Sequence, residues 1–252
     1  MTNEPNPSVR EPVGAADCPF ALPRALMAQR WESLSFLHWR VDPDQLQRTL
    51  PEGLSVQTFD NEAWLGLVPF HMRVGFARGP LVPWIGSFCE TNVRTYVTDT
   101  LGRPGIWFYS LDAARLAAVV TARLTYRLPY YWAQMTVTES DSQIRYRSRR
   151  RWPHDASITS NVQLGIGDSY LPNELTALDH FLTARWRLFS SRKTGLRSAR
   201  AEHAPWPLRR ARLVDISDEL VPSVGPRLLD TEPLVHYSPG VDVRVGPPER
   251  QG

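Results

Sequence analysis

From Phe88 to Tyr96 the side chains alternate, so a strand here sets Phe88, Glu90, Asn92, Arg94 and Tyr96 on one face and Cys89, Thr91, Val93 and Thr95 on the other. A carboxyl, a guanidinium and a phenol on one face can move a proton and hold an anion. Two environments produce such a face. One is the solvated side of an antiparallel sheet; the other is the wall of a polar cavity inside a closed barrel, where Glu90 and Arg94 hold one another and a ligand.

Other chemistry is restricted by what the chain carries. Lys193 is its only lysine, so an amine nucleophile is this residue or none. It sits in hydrophilic Ser-Arg-Lys-Thr-Gly-Leu, whereas a nucleophilic lysine needs desolvation or a cationic neighbour in a pocket. Cys18 and Cys89 form no C-x-x-C motif or Cys/His cluster, and no metal site is expected. His38, His71 and His236 stand alone and read as structural histidines, and His203-Ala-Pro-Trp-Pro207 reads as a rigid aromatic cover. There is no G-x-S-x-G, Walker or G-x-G-x-x-G motif, which argues against serine hydrolase and nucleotide-binding classes. The arginines from Arg145 to Arg151 alternate as a strand does. With a net charge of only +3 they read as a solvated basic edge strand, and no nucleic-acid partner is expected.

The elements that must position these residues are short. The chain has 252 residues, 42% hydrophobic and 22% charged, with 22 prolines against 15 glycines, which suits one strand-rich domain and excludes long coiled coils. Residues 1–24 read as a flexible arm, 25–245 as a single domain and 246–252 as a tail. Strands are expected over 31–41, 63–76, 88–98, 105–110, 131–140 and 142–152. Asp42-Pro43 starts a short helix to residue 50. An alanine-rich buried helix is expected from Asp112 to 124, and an amphipathic one over 174–188, capped by Asn173. No run of 18 apolar residues and no signal-like N-terminus occur, so a cytoplasmic protein without a membrane partner is expected.

The segments RWESLSFLHWRVDPDQLQRTLPEGL from Arg30, E-x-N-x-R-x-Y at 90–96, ARLTYRLPYYWA at 122–133, HAPWP at 203–207 and HYSPGVDV at 236–243 resemble the YqjF-like family of bacterial proteins. That family in turn resembles acetoacetate decarboxylase. The resemblance implies a β-rich α+β fold, a mostly antiparallel β-barrel with a few packed helices and a ligand cavity. Arg30 matches the decarboxylases' first arginine, Phe88-Cys89-Glu90 their strand with an active-site glutamate, and Arg123 the arginine of G-R-E, with Leu124 in place of its glutamate. Pro129-Tyr130-Tyr131 falls on Pro-Lys-Lys, whose first lysine forms the Schiff base. Tyr130 has no amine, so acetoacetate decarboxylase activity is not expected.

What remains is a set able to act without metal or cofactor. Glu90, Tyr130 and Arg123 are the expected catalytic groups, with Arg30, Arg94 and Tyr96 binding the ligand and Glu90 contacting Arg30 or Arg123. The expected function is acid/base and electrostatic catalysis on a small oxo-acid or carbonyl compound: enolisation, dehydration, aldol or cyclisation chemistry. The alternative is a non-catalytic β-barrel that binds a small carboxylate or carbonyl ligand. Self-association is left open.

Overall fold

The computed structural model describes residues 17–76, 86–153, 157–192 and 195–250. Lys193 lies outside them, as does the greater part of the N-terminal arm. In chain order come β1 (Met27–Val41), α1 (Pro43–Gln47), β2 (Leu54–Val56), β3 (Ala63–Phe76), β4 (Ser87–Asp99), β5 (Pro104–Ala113) and α2 (Leu116–Thr125). Then follow β6 (Tyr130–Glu139), β7 (Gln143–Trp152), β8 (Thr159–Ser169), α3 (Ala177–Thr183), β9 (Arg187–Arg192), β10 (Gly195–His203), β11 (Arg209–Asp218), β12 (Leu234–Val245) and β13 (Glu249–Arg250).

The strands form one sheet in the order β13-β10-β9-β5-β6-β7-β8-β11-β12-β1-β3-β4-β2, with β10 also paired to β12 and β5 to β4. Following the pairings from β5 through β6, β7, β8, β11, β12, β1, β3 and β4 therefore leads back to β5. A second circuit runs from β5 through β9, β10 and β12 and shares β1, β3 and β4. The sheet is mixed rather than simply antiparallel, because β5 runs parallel to both β6 and β9. A parallel neighbour needs a crossover, and α2 is the crossover between β5 and β6.

The shared strands bury both faces. On β3, Val68, Phe70 and Met72 enter one apolar cluster while Leu65 and Leu67 enter another; β4 likewise sends Phe88 to the first and Val93 to the second. A strand between two cores has no solvated side. Hence the polar face of β4 is buried, with Glu90 2% and Arg94 5% exposed, and the solvated-face alternative is excluded.

Several local expectations meet the structure directly. Asp42 caps α1 by accepting from the Gln45 N–H at 2.9 Å, and Pro43 is its first residue. β6 and β7 form the expected pair around Ser140. β7 is not an edge strand, however, since it pairs with both β6 and β8, and Arg150 turns inward to a buried ion pair with Asp112. The expected helix from Asp112 begins only at Leu116, because Asp112 still belongs to β5. Nor is that helix wholly buried: Leu116, Val120 and Leu124 are exposed.

The expected 174–188 helix is also shorter. Thr176, not Asn173, caps α3: its side chain accepts from the Asp179 N–H, and the Asp179 carboxylate accepts from the Thr176 N–H. The helix ends at Thr183, and Arg187 already belongs to β9. At the end of the arm, Leu22 is buried and its N–H donates to Glu202 at 3.0 Å.

Candidate functional site

A cavity of about 370 Å³ lies against the first apolar cluster. Its walls come from β1, β3, β4 and β5 together with residues of β6, β9 and β10, and α2 lines one side through Ala118 and Ala122. Opposite are aromatic residues: Trp31 stacks on Trp206 with ring centres 6.0 Å apart, and Phe70 lies 5.7 Å from Trp31. The expected aromatic cover at 203–207 supplies His203 and Trp206 to this lining, and Trp206 Nε1 donates to the Thr183 carbonyl at 3.0 Å.

Sheet register brings Glu90 and Tyr130 together. Glu90 stands opposite Ala113 on β5, and Tyr130 opposite Leu111 on the same strand, so the two side chains share a face across β5. The Tyr130 hydroxyl donates to Glu90 Oε2 at 3.0 Å. Burial, with the nearby Asp112 carboxylate adding to it, pushes the Glu90 carboxyl up to about 8 despite that hydrogen bond. Burial and the Glu90 charge also hold the Tyr130 phenol well above its ordinary value. At neutral pH the pair is thus a mostly protonated carboxyl held by a phenol.

The arginines are not where the family pattern suggested. Alternation along β1 turns Gln29 and Trp31 into the cavity and Arg30 outward, where it pairs with Asp242 at 3.3 Å. Arg123 donates through Nη1 to the Tyr130 carbonyl at 2.5 Å and lies over Trp152, so it supports the Tyr130 backbone from outside the lining. Glu90 accordingly contacts Tyr130 rather than either arginine. A long charged side chain at the cavity wall follows strand parity and helix phase, and a motif match does not encode these.

Arg94 is in the cavity, with Tyr96 just behind it. The Tyr96 hydroxyl donates to the Leu182 carbonyl at 2.6 Å and lies 2.5 Å from His38 Nε2. Burial and the neighbouring Arg94 charge keep His38 well below its usual pKa. The room for this ring comes from Gly66, since a Cβ there would stand 2.9 Å from the His38 imidazole. Arg185, Arg187 and His203 complete the polar lining. Arg185 and Arg187 were missed in the sequence because Leu182, Trp186 and Phe189 fit a helical period; the Arg-Trp-Arg alternation was the available signal. His203 is held down to about 4, chiefly by burial. Among the described residues no group of three or more His, Cys, Asp or Glu side chains could hold a metal ion, and no helix is long and apolar enough to cross a membrane.

Residues 28–242 match the family model DUF2071, described as an uncharacterized conserved protein. The chain belongs to the DUF2071 family. It is 33% identical over 223 residues to the protein YqjF of Bacillus subtilis (strain 168), a match spanning 88% of this chain and 91% of that one. Among solved structures, this DUF2071 chain resembles an acetoacetate decarboxylase-like enzyme from Sphingomonas wittichii RW1 at TM-score 0.62 and 14% identity, covering 94% of this chain and 100% of the other. It resembles acetoacetate decarboxylase from Legionella pneumophila at TM-score 0.62 and 13% identity, covering 93% and 92%. The enduracididine biosynthesis enzyme MppR, solved with pyruvate, is similar at TM-score 0.62 and 13% identity, covering 92% and 93%. The shared fold is thus mostly strands with a few helices, of the acetoacetate decarboxylase type.

Proposed function

We propose that the closed strand circuits form a small-molecule barrel and that Glu90, held by Tyr130, moves a proton on a carbonyl compound without a Schiff base. The supporting observation is the Tyr130–Glu90 hydrogen bond inside an apolar cavity, with the carboxyl pushed up to about 8. A carboxyl with that pKa is a competent acid at neutral pH, and its roughly one-tenth ionised fraction at pH 7 is a base stronger than an ordinary carboxylate. Tyr130 engages Oε2, so exchange with a ligand falls to Oε1. Glu90 would remove a proton from the carbon beside a carbonyl. The C–H electron pair becomes the C=C bond of the enolate, the carbonyl π pair moves to oxygen and leaves the charge there, Glu90 keeps the proton, and reversal returns it. Enolisation of an oxo-acid is the simplest reaction this supports.

Exchange of the protons beside the ketone of 7-oxooctanoate in D2O, followed by proton NMR, tests this reading. The rate should exceed buffer, rise with pH through about 8 as Glu90 ionises, and fall by a factor on the order of 100 to 10,000 in Glu90→Gln. Binding without exchange above buffer would favour the non-catalytic ligand barrel.

A further inference from the structure

The end of the cavity away from Tyr130 carries a charge arrangement that the proton-transfer chemistry does not use. Arg94 and Arg185 are each only 5% exposed. Both pack on the Tyr96 ring, with the Arg185 guanidinium carbon 4.7 Å and the Arg94 one 5.6 Å from its centre. Arg185 also covers Phe181 at 4.4 Å, and Arg94 covers Phe36 at 5.3 Å. Aromatic faces hold the planar groups but satisfy none of their N–H donors.

The donors are left over. Arg94 uses Nη2 on the Leu182 carbonyl at 3.0 Å and on the Tyr96 hydroxyl at 3.3 Å. Arg94 Nε, and both Nε and Nη2 of Arg185, have no hydrogen-bond partner among the described residues. Burying one cation beside another disfavours folding, and leaving guanidinium donors unpaired disfavours it further. Burial first, and then the Arg94 charge, lower Arg185 to about 9, which still leaves it charged at neutral pH. An anion would relieve both penalties, and two guanidinium forks suit the two oxygens of a carboxylate.

The rest of the cavity defines the other half of the ligand. Glu90, Asn92 and Arg94 lie on one face of β4, so strand geometry separates the first from the last by about 13 Å of backbone. Apart from the Asn92 amide, the lining between and around them is mostly apolar, with Phe88, Phe108, Met72, Trp31 and the alanine face of α2. Such a surface gains from apolar contact and offers a sugar or peptide few partners. We propose that Arg94 and Arg185 bind the carboxylate of a largely apolar monocarboxylic acid, whose body lies along β4 toward Glu90. This names the substrate class of the proposed reaction and rests on that reading for the orientation of the ligand; the anion contact itself does not depend on proton transfer.

Calorimetry with 3-phenylpropanoate, 3-phenylpropan-1-ol and acetate tests it on the full chain. The acid should bind roughly tenfold to a hundredfold more tightly than the alcohol, as a charge-assisted contact allows, and acetate should bind far more weakly because it lacks the apolar body. Arg185→Met should lose most of the preference for acid over alcohol. Without ligand it should melt no lower than the parent, since it removes a buried charge with unpaired donors. Glu90→Gln should keep the preference. If the parent shows the acid preference and Glu90→Gln retains it while neither exchanges α-protons, the carboxylate site stands and the proposed reaction fails. Equal binding of acid and alcohol by the parent, or an undiminished preference in Arg185→Met, would overturn the inference.

Discussion

Glu90→Gln is expected to flatten the pH dependence of stability. The folded protein holds the Glu90 carboxyl near about 8, chiefly through burial, whereas the unfolded chain ionises near its ordinary value of 4.5. As pH rises between those values the unfolded state releases a proton that the folded state keeps. The sign follows: this group's contribution is fully present below the lower value and is lost as pH rises through the upper one. The gap corresponds to roughly 4 to 5 kcal/mol. Glutamine accepts from Tyr130 in the same way but does not titrate. At low pH the variant should be slightly less stable, because its amide N–H groups replace a neutral carboxyl in an apolar wall. Near pH 9 it should exceed the parent, the difference between the two having moved by roughly 4 kcal/mol. Urea unfolding at a series of pH values measures this; parallel curves for the two proteins would show that Glu90 is ionised in the fold at neutral pH.

The second large effect lies behind the cavity wall. Asp112 is fully buried and takes two hydrogen bonds from Arg150, at 2.7 and 3.1 Å. The Arg150 guanidinium stacks 3.7 Å above the ring of Tyr131, next to Tyr130. Asp112→Ala leaves a buried guanidinium without its carboxylate and should destabilise the protein by roughly 3 to 5 kcal/mol. The double variant Asp112→Ala/Arg150→Met removes both charges and should recover most of that loss. Removing the Asp112 charge also removes one of the causes that raise Glu90, so Glu90 should titrate lower in the double variant. A single variant as stable as the parent would mean that water or another acceptor reaches Arg150.

Local chemistry explains which parts of this fold could be read from the sequence. The Asp42-Pro43 start of α1, the long strand over 63–76 and the β6–β7 hairpin follow from capping, β-branched alternation and turn residues, which act over a few positions. The face of β4 was legible as a set of residues but not as an environment. Whether Glu90 and Arg94 meet solvent or a cavity depends on β1, β3 and β5 burying both sides of the sheet, which is set by pairings distant in sequence. Arg30 lies outside the cavity because one step of strand parity turns it outward, and Arg123 because helix phase gives the lining to Ala118 and Ala122. Arg185 was hidden by a helical spacing that the capping of α3 at Thr176 cuts short. The Tyr130–Glu90 contact joins a motif match to a parallel strand register that only the crossover through α2 creates.

The carboxyl carbon resonance of Glu90, followed by NMR against pH in protein with and without 3-phenylpropanoate, tests the proton-carrying pair most directly. Without ligand a single transition near about 8 is expected. It should move upward when the acid binds, since a second negative charge in the same cavity disfavours ionisation. A transition near the ordinary 4.5, unmoved by ligand, would contradict a protonated Glu90 held by Tyr130 in the cavity.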